Sequence, residues 1–277
     1  MDRTLSSAPP RKENALEYNT ILYDVTPDRV ATVTINRPKA YNSFTVEMRR
    51  EFEHVWNRIK EDPAVHAVVL RAAPGKAFST GADVKLNTPA VITGSENVWD
   101  QTDPGESLGP KSNRLWKPVV TAVHGLCCAG AFYWLNESDI VICSDDAQFF
   151  DPHVSYGMVC AVEPIGLARR IPLQEALRIA LLGNDERVSA ATALRIGLVS
   201  EVTAPDALWQ RAHALAAKIA AKPTSVIQGS VRAIWESLDL PRSTAISNAL
   251  KYCQLGYNLD VPDVAELAKL SRDYEIR

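Results

Sequence analysis

Apolar and polar positions form two short runs near the start of the chain, Ile21–Val25 and Val30–Ile35, with the turn Thr26-Pro27-Asp28-Arg29 between them, and predict two strands. A polar loop follows, Asn36-Arg37-Pro38-Lys39-Ala40-Tyr41-Asn42-Ser43. Over 45–61 Met48, Phe52, Val55, Trp56 and Ile59 recur at helical spacing, which predicts an amphipathic helix stopped by Asp62-Pro63. Residues 67–71 read as the next strand. A turn of small residues comes next, Phe78-Ser79-Thr80-Gly81-Ala82-Asp83-Val84-Lys85. From 87 to 113 the chain is rich in Thr, Gly, Ser, Pro and Asp, and is expected to be a mobile pocket wall, a lid, or a disordered insert.

The β-branched run Val119–Val123 predicts a strand buried on both faces. His124-Gly125 breaks it, and the small residues Cys127-Cys128-Ala129-Gly130-Ala131 lead into Phe132-Tyr133-Trp134-Leu135, which suits a buried helix. Helices are predicted over 164–171 and Leu173–Leu182, separated by Pro172. Val188-Ser189-Ala190-Ala191 is expected to open a short helix ending at Gly197, and 198–202 is a last short strand or an extended link. Beyond Pro205 the segments 206–221, 225–237, 242–255 and 264–274 all carry helical spacing. The pattern thus divides into a tail expected to be mobile (1–18), an α/β core (19–200) and a helical C-terminal region (201–277).

The first N–H groups of the helix opening near Gly130 lack intrahelical partners and sit at its positive end, where an anion or a developing negative charge is favoured. The Gly130 N–H is therefore a candidate oxyanion donor, although a strand–glycine–helix junction can equally be a plain corner. The run 118–135 is apolar enough to raise a membrane span, but His124, two glycines and the strand-to-helix change argue against one.

Composition narrows the classes. The 277 residues suffice for one large core, and 46% hydrophobic with 23% charged residues is ordinary for a soluble globular chain. A formal charge of −3 speaks against a nucleic-acid surface and against docking on an anionic membrane. The first residues are polar and acidic, without the apolar segment of a signal peptide. Five cysteines (127, 128, 143, 160 and 253) form no CxxC or metal spacing, so a reducing compartment and a cytoplasmic location are expected.

In combination and order, NRPKAYNS, FSTGADVK, VHGLCCAG, DIVIC, AQF and RVSAATALRIGLVSEV resemble the crotonase superfamily, whose best-known members are enoyl-CoA hydratases; the likeness spans roughly residues 20 to 270. The resemblance implies a spiral of strand–strand–helix turns, with a helical C-terminal region that builds homotrimers or hexamers made from two trimers. It implies an acyl-coenzyme A substrate whose thioester carbonyl sits between the backbone N–H groups of Ala82 and Gly130. Backbone around Lys39, Ala40, Ala82, Asp83 and Val84 would hold the adenine, and Lys39 and Lys85 would meet the phosphates or stand as solvated charges. No metal or redox cofactor is implied.

By the same resemblance, hydratases place two glutamates where this chain has Tyr133 and His153. A phenol with an ordinary pKa near ~10 is a poor base at neutral pH, so two-glutamate hydration is not expected. A histidine at ~6.5 suits proton transfer, and His153 is the candidate base, with a turn-capping role as its alternative. The segment also looks like the superfamily's carbon–carbon hydrolases, which cleave β-dicarbonyl compounds and carry an acid about nine residues beyond the histidine; here Val162 stands there, with Glu163 next. Glu163 is the second candidate, or a helix-start carboxylate beside Pro164. Asp151 would orient His153 or cap its turn, Glu137 would face a neighbouring subunit or solvent, and Asp139 would be structural. Trp99, Trp116, Tyr133 and Trp134 hint at a pocket for a bulky acyl group. The expected function is enolate chemistry on an acyl-CoA, with a carbon–carbon hydrolase and a non-catalytic acyl-CoA-binding or assembly protein as alternatives.

Overall fold

The computed structural model describes residues 17–86, 97, 99, 102–257 and 274–277. Its strands are β1 (Ile21–Val25), β2 (Val30–Ile35), β3 (Ala67–Ala72), β4 (Ala77–Ser79), β5 (Val119–Val123), β6 (Leu126–Cys128), β7 (Ile140–Ser144), β8 (Gln148–Phe150), β9 (Val188–Ser189) and β10 (Glu201–Thr203). They form a six-stranded sheet ordered β1-β2-β3-β5-β7-β10 and a four-stranded sheet ordered β4-β6-β8-β9. β1 and β2 are antiparallel with Ile21 opposite Ile35, and the remaining neighbours of the larger sheet are parallel. The chain thus winds as a spiral: β3, β5 and β7 lay a strand in one sheet, and β4, β6 and β8 step across to the other.

Side-chain alternation explains why the strand runs read as continuously apolar. On β3, Val68 and Leu70 face the inter-sheet core, while Ala67 and Val69 face helix α7 (Leu208–Ala220) through Leu208, Ala212, Ala216 and Ala220. Helix α1 (Val46–Glu61) starts where the Thr45 hydroxyl accepts the Met48 N–H, and buries Met48, Phe52, Val55, Trp56 and Ile59. Lys117 is held at its far end, its Nζ donating to the Ile59 and Asp62 carbonyls at 2.6 and 2.5 Å.

Several expectations need correction. The tail expected over 1–18 lies outside the described residues except for Glu17 and Tyr18, and Tyr18 is docked, its hydroxyl 2.8 Å from His54 Nδ1. The wall or lid expected over 87–113 is described at 97, 99 and 102–113; there a short helix, α2 (Gly105–Leu108), is pinned by the Trp56 Nε1–H to the Leu108 carbonyl at 2.9 Å. Helix α3 is Phe132–Asn136. The helix expected over 164–171 is α4 at Val162–Leu167, and α5 follows at Leu173–Leu182. Val188 and Ser189 do not open a helix but pair as β9 with Phe149 and Gln148; helix α6 (Ala190–Ile196) begins after them and ends at Gly197 with φ 82°. Thr224–Ser237 (α8) and Arg242–Tyr257 (α9) match the expected C-terminal helices, whereas 264–274 lies outside the described residues but for Tyr274. Among the described residues no helix is long and apolar enough to cross a membrane.

Candidate active site

Strands β4, β6 and β8 lie side by side and parallel, so the segments leaving their carboxyl ends emerge at one edge. That is where open parallel sheets present ligand sites. The exit of β4 carries Gly81 and Ala82, the exit of β6 carries Ala129 and Gly130, and the exit of β8 carries Asp151 and His153. All but Gly81 and Asp151 line one cavity of about 540 Å3, together with Lys39, Ala40, Asp83, Val84, Lys85, Tyr133 and Glu163. The structure therefore brings every residue singled out for chemistry or coenzyme A binding to one cavity.

The two amide turns touch. A Cβ at Gly81 would stand 2.7 Å from the Gly130 nitrogen, and one at Gly130 would stand 2.6 Å from Phe44 Cε1. Gly81 has φ 78° and Ala129 has φ 52°, so a left-handed residue immediately precedes each candidate donor. Neither the Ala82 nor the Gly130 N–H donates to another backbone group among the described residues. Phe44 couples the turns: its N–H donates to the Gly81 carbonyl at 2.8 Å, its carbonyl accepts from the Asp83 N–H at 2.9 Å, and its ring packs on Tyr133 and Trp134. The polar residues of the first motif stitch this assembly. Arg37 bonds the Ser43 carbonyl at 2.6 Å and the Asp83 carboxylate at 2.9 Å, while Asn42 donates to the Ala77 carbonyl at 2.8 Å.

His153 and Asp151 form a pair. The carboxylate accepts the His153 backbone N–H at 3.1 Å and faces Nδ1 at 2.5 Å, so it both caps the turn and orients the ring. A carboxylate only accepts, so Nδ1 carries the proton and Nε2 is left with its lone pair. The hydrogen bond to Asp151 holds the imidazole above its ordinary value, against the opposing effect of burial. Burial pushes the Glu163 carboxyl up. Burial, then the charges of Glu163 and Asp103, keeps the Tyr133 phenol protonated. Cys128, also on the cavity wall, is pushed by burial up to about 12 and stays a thiol. Glu163 sits in the first turn of α4 as expected, yet it is buried and on the cavity rather than solvated.

Lys39, Val84 and Lys85 are exposed residues of the cavity lining. The Asp83 side chain is committed to Arg37, so only its backbone is left for a ligand. The aromatic hint divides: Trp134 is fully buried against Phe52, Trp99 is exposed, and Trp116 lines a neighbouring cavity of about 720 Å3 that shares Tyr133. Glu137 is half-buried, and it accepts the Lys111 and Ser112 N–H groups at 2.7 and 2.8 Å and shapes the chain there. Asp139 is structural as expected, accepting from Val119 N, Lys111 Nζ and Trp235 Nε1. Sequence reasoning missed Phe44, Asp103 and Arg187. Arg187 lines the cavity with its guanidinium 4.5 Å over the Phe150 ring, and it opens the RVSAATAL motif, whose residues signal only a helix.

The family model described as Enoyl-CoA hydratase/isomerase matches residues 26–253. An (E)-benzylidenesuccinyl-CoA hydratase of Thauera aromatica is 32% identical over 77% of this chain and 82% of its own length. A short-chain-enoyl-CoA hydratase of Clostridium acetobutylicum is 30% identical over 84% and 87%. The crystal structure of an enoyl-CoA hydratase/isomerase from Mycobacterium paratuberculosis superposes with a TM-score of 0.78 at 34% identity, covering 91% of this chain and 95% of that one. The chain belongs to the enoyl-CoA hydratase/isomerase family, the crotonase superfamily that its motifs resemble.

Proposed function

We propose that this protein is an enzyme that binds an acyl-CoA thioester and works through an enolate held by the Ala82 and Gly130 N–H groups. One observation carries the reading: the unpaired amides, His153 with Asp151 bonded behind it, and Glu163 meet at one cavity, which Ala82, Gly130, His153 and Glu163 line. Removing an α-proton, or adding a nucleophile at the β-carbon, drives negative charge onto the thioester oxygen; each well-aimed amide lowers that barrier by ~3 kcal/mol. His153 Nε2 takes the proton, from substrate or from water. Glu163, whose carboxyl burial pushes up, is the proton donor, and Tyr133 is a hydrogen-bonding wall that stays a phenol. Backbone of Lys39, Ala40, Ala82, Asp83 and Val84 receives the adenine, and the Lys39 and Lys85 ammonium groups the phosphates. The reaction differs from two-glutamate hydration because a histidine, not a carboxylate, is the strongest base here. The exposed leucines of α5, Leu173, Leu177 and Leu181, favour assembly as a homotrimer or a dimer of trimers.

A second reading is supported by the same pair. A histidine oriented by an aspartate, with Glu163 in the same cavity despite its one-residue offset, also suits water-driven cleavage of a β-dicarbonyl substrate. Incubation of butyryl-CoA with the enzyme in D2O, followed by NMR at the α-carbon, tests the enolate. We expect deuterium incorporation that is lost in His153→Ala. Cleavage of a β-diketone without α-exchange would favour the hydrolase, and tight binding with neither reaction would leave a non-catalytic carrier.

A further inference from the structure

We infer that Asp151, His153 and Cys160 form a binding site for one borderline divalent cation of the Zn2+ type, behind the cavity wall at His153, the member of the three that lines the cavity. One ligand atom from each, a carboxylate oxygen, an imidazole nitrogen and a thiol sulfur, lies within 4.8 Å of the other two. In a tetrahedral zinc site, bonds of about 2.0–2.3 Å set the donor atoms roughly 3–4 Å apart, so a small side-chain rotation closes the set. Cys160 is partly exposed and sits between Gly157 and α4, in irregular chain that can supply such a rotation.

The Asp151 carboxylate supplies the second observation. It is fully buried, one oxygen faces His153, and the other, Oδ2, has no nitrogen or oxygen partner among the described residues; the Cys160 thiol is the donor within reach of the carboxylate. A thiol is a weak donor, so a buried carboxylate oxygen that has only a thiol within reach is costly to keep unless a cation reaches it. Arg187, a basic side chain of the cavity lining, is already engaged with Gln148 at 2.8 Å and the Phe150 ring. A dication bound by carboxylate, thiolate and neutral imidazole balances its charge within the site. Binding releases the Cys160 thiol proton, which burial otherwise holds in place, to solvent; the His153 proton passes from Nδ1 to Nε2, and the metal takes its place at Nδ1 of the neutral imidazole. The donor set of one sulfur, one nitrogen and one oxygen selects Zn2+ or Co2+ over Mg2+ or Ca2+, which take oxygen ligands. Three protein ligands leave a fourth coordination position open. The metal then holds His153 away from proton transfer, a consequence that rests on the function proposed above; binding itself does not.

Cobalt titration decides the matter, because a thiolate–Co2+ charge-transfer band reports sulfur ligation independently of turnover. The metal-free protein is titrated with Co2+, and separately with Zn2+ by calorimetry, as wild type, Cys160→Ser, Asp151→Asn and Cys253→Ser, each checked for native circular dichroism. The expected result is one metal per chain with a charge-transfer band in wild type and in Cys253→Ser. Cys160→Ser should lose the band and weaken Zn2+ at least tenfold while keeping its metal-free turnover, and Asp151→Asn should weaken Zn2+ likewise. A missing band in wild type, or a band that survives in Cys160→Ser, would overturn the site whatever the enzyme's activity.

Discussion

The side chain that Gly81 lacks would stand 2.7 Å from the Gly130 nitrogen. Two turns from separate rounds of the spiral are therefore packed backbone to backbone, and the amides of Ala82 and Gly130 come from this contact. Gly81→Ala would meet both the clash and a left-handed φ of 78°. With the amides pushed apart, kcat should fall about 100- to 1000-fold, as on losing one oxyanion donor. Steady-state kinetics on a substrate found by the exchange assay check this, and turnover within threefold of wild type would count against it.

Phe44 joins the same turns through its backbone and fills the space beside Gly130 with its ring. Phe44→Ala removes a fully buried aromatic ring and should cost about 3–5 kcal/mol in urea unfolding. Phe44→Leu should recover most of that stability but not the activity, because the ring that fixes Tyr133 and Gly130 is gone.

His153→Ala should lower kcat by about 100- to 10,000-fold. Asp151 is buried behind His153, off the cavity lining, so on the proposed mechanism Asp151→Asn should reduce kcat and leave KM within about twofold, a split expected of a positioning residue. A matching rise in KM would mean that Asp151 merely maintains the cavity.

The segments leaving β4 and β6 were legible in the sequence because consecutive small side chains mark turns where backbones approach closely. The left-handed Ala129 was not legible, since alanine carries no signal for a conformation that packing imposes on it. Nor was the placement of Asp103 and Arg187, which approach the site only through tertiary contacts. Val188 and Ser189 were misread because two residues cannot display a period; β8 recruits them as an edge strand. Glu137 was read as outward-facing from its helical offset to Tyr133, but the chain at Lys111 and Ser112 folds back to donate to it.

Lys39 and Lys85 line the cavity and are exposed, so the role proposed for them toward the coenzyme A phosphates is electrostatic and screened. Lys39→Glu and Lys85→Glu should each weaken coenzyme A binding about five- to tenfold at low salt, with the difference shrinking as salt rises. Calorimetry at two ionic strengths reads both effects, and an affinity insensitive to either change would move the phosphates elsewhere.

Glu51 fastens the first described residues to α1, accepting from Asn19 N at 2.7 Å and from Thr20 N and Oγ1 at 3.0 and 2.6 Å. It is 3% exposed. Glu51→Ala leaves three donors without this acceptor and should cost about 2–4 kcal/mol in urea unfolding, with turnover of the folded fraction unchanged.

The most direct test is a crystal structure with acetyl-CoA, which carries the thioester but no double bond to hydrate. The account predicts its carbonyl oxygen about 2.7–3.1 Å from both the Ala82 and Gly130 nitrogens, with the acetyl methyl toward His153. A carbonyl bonded to neither amide, or a ligand lying outside the cavity, would contradict it.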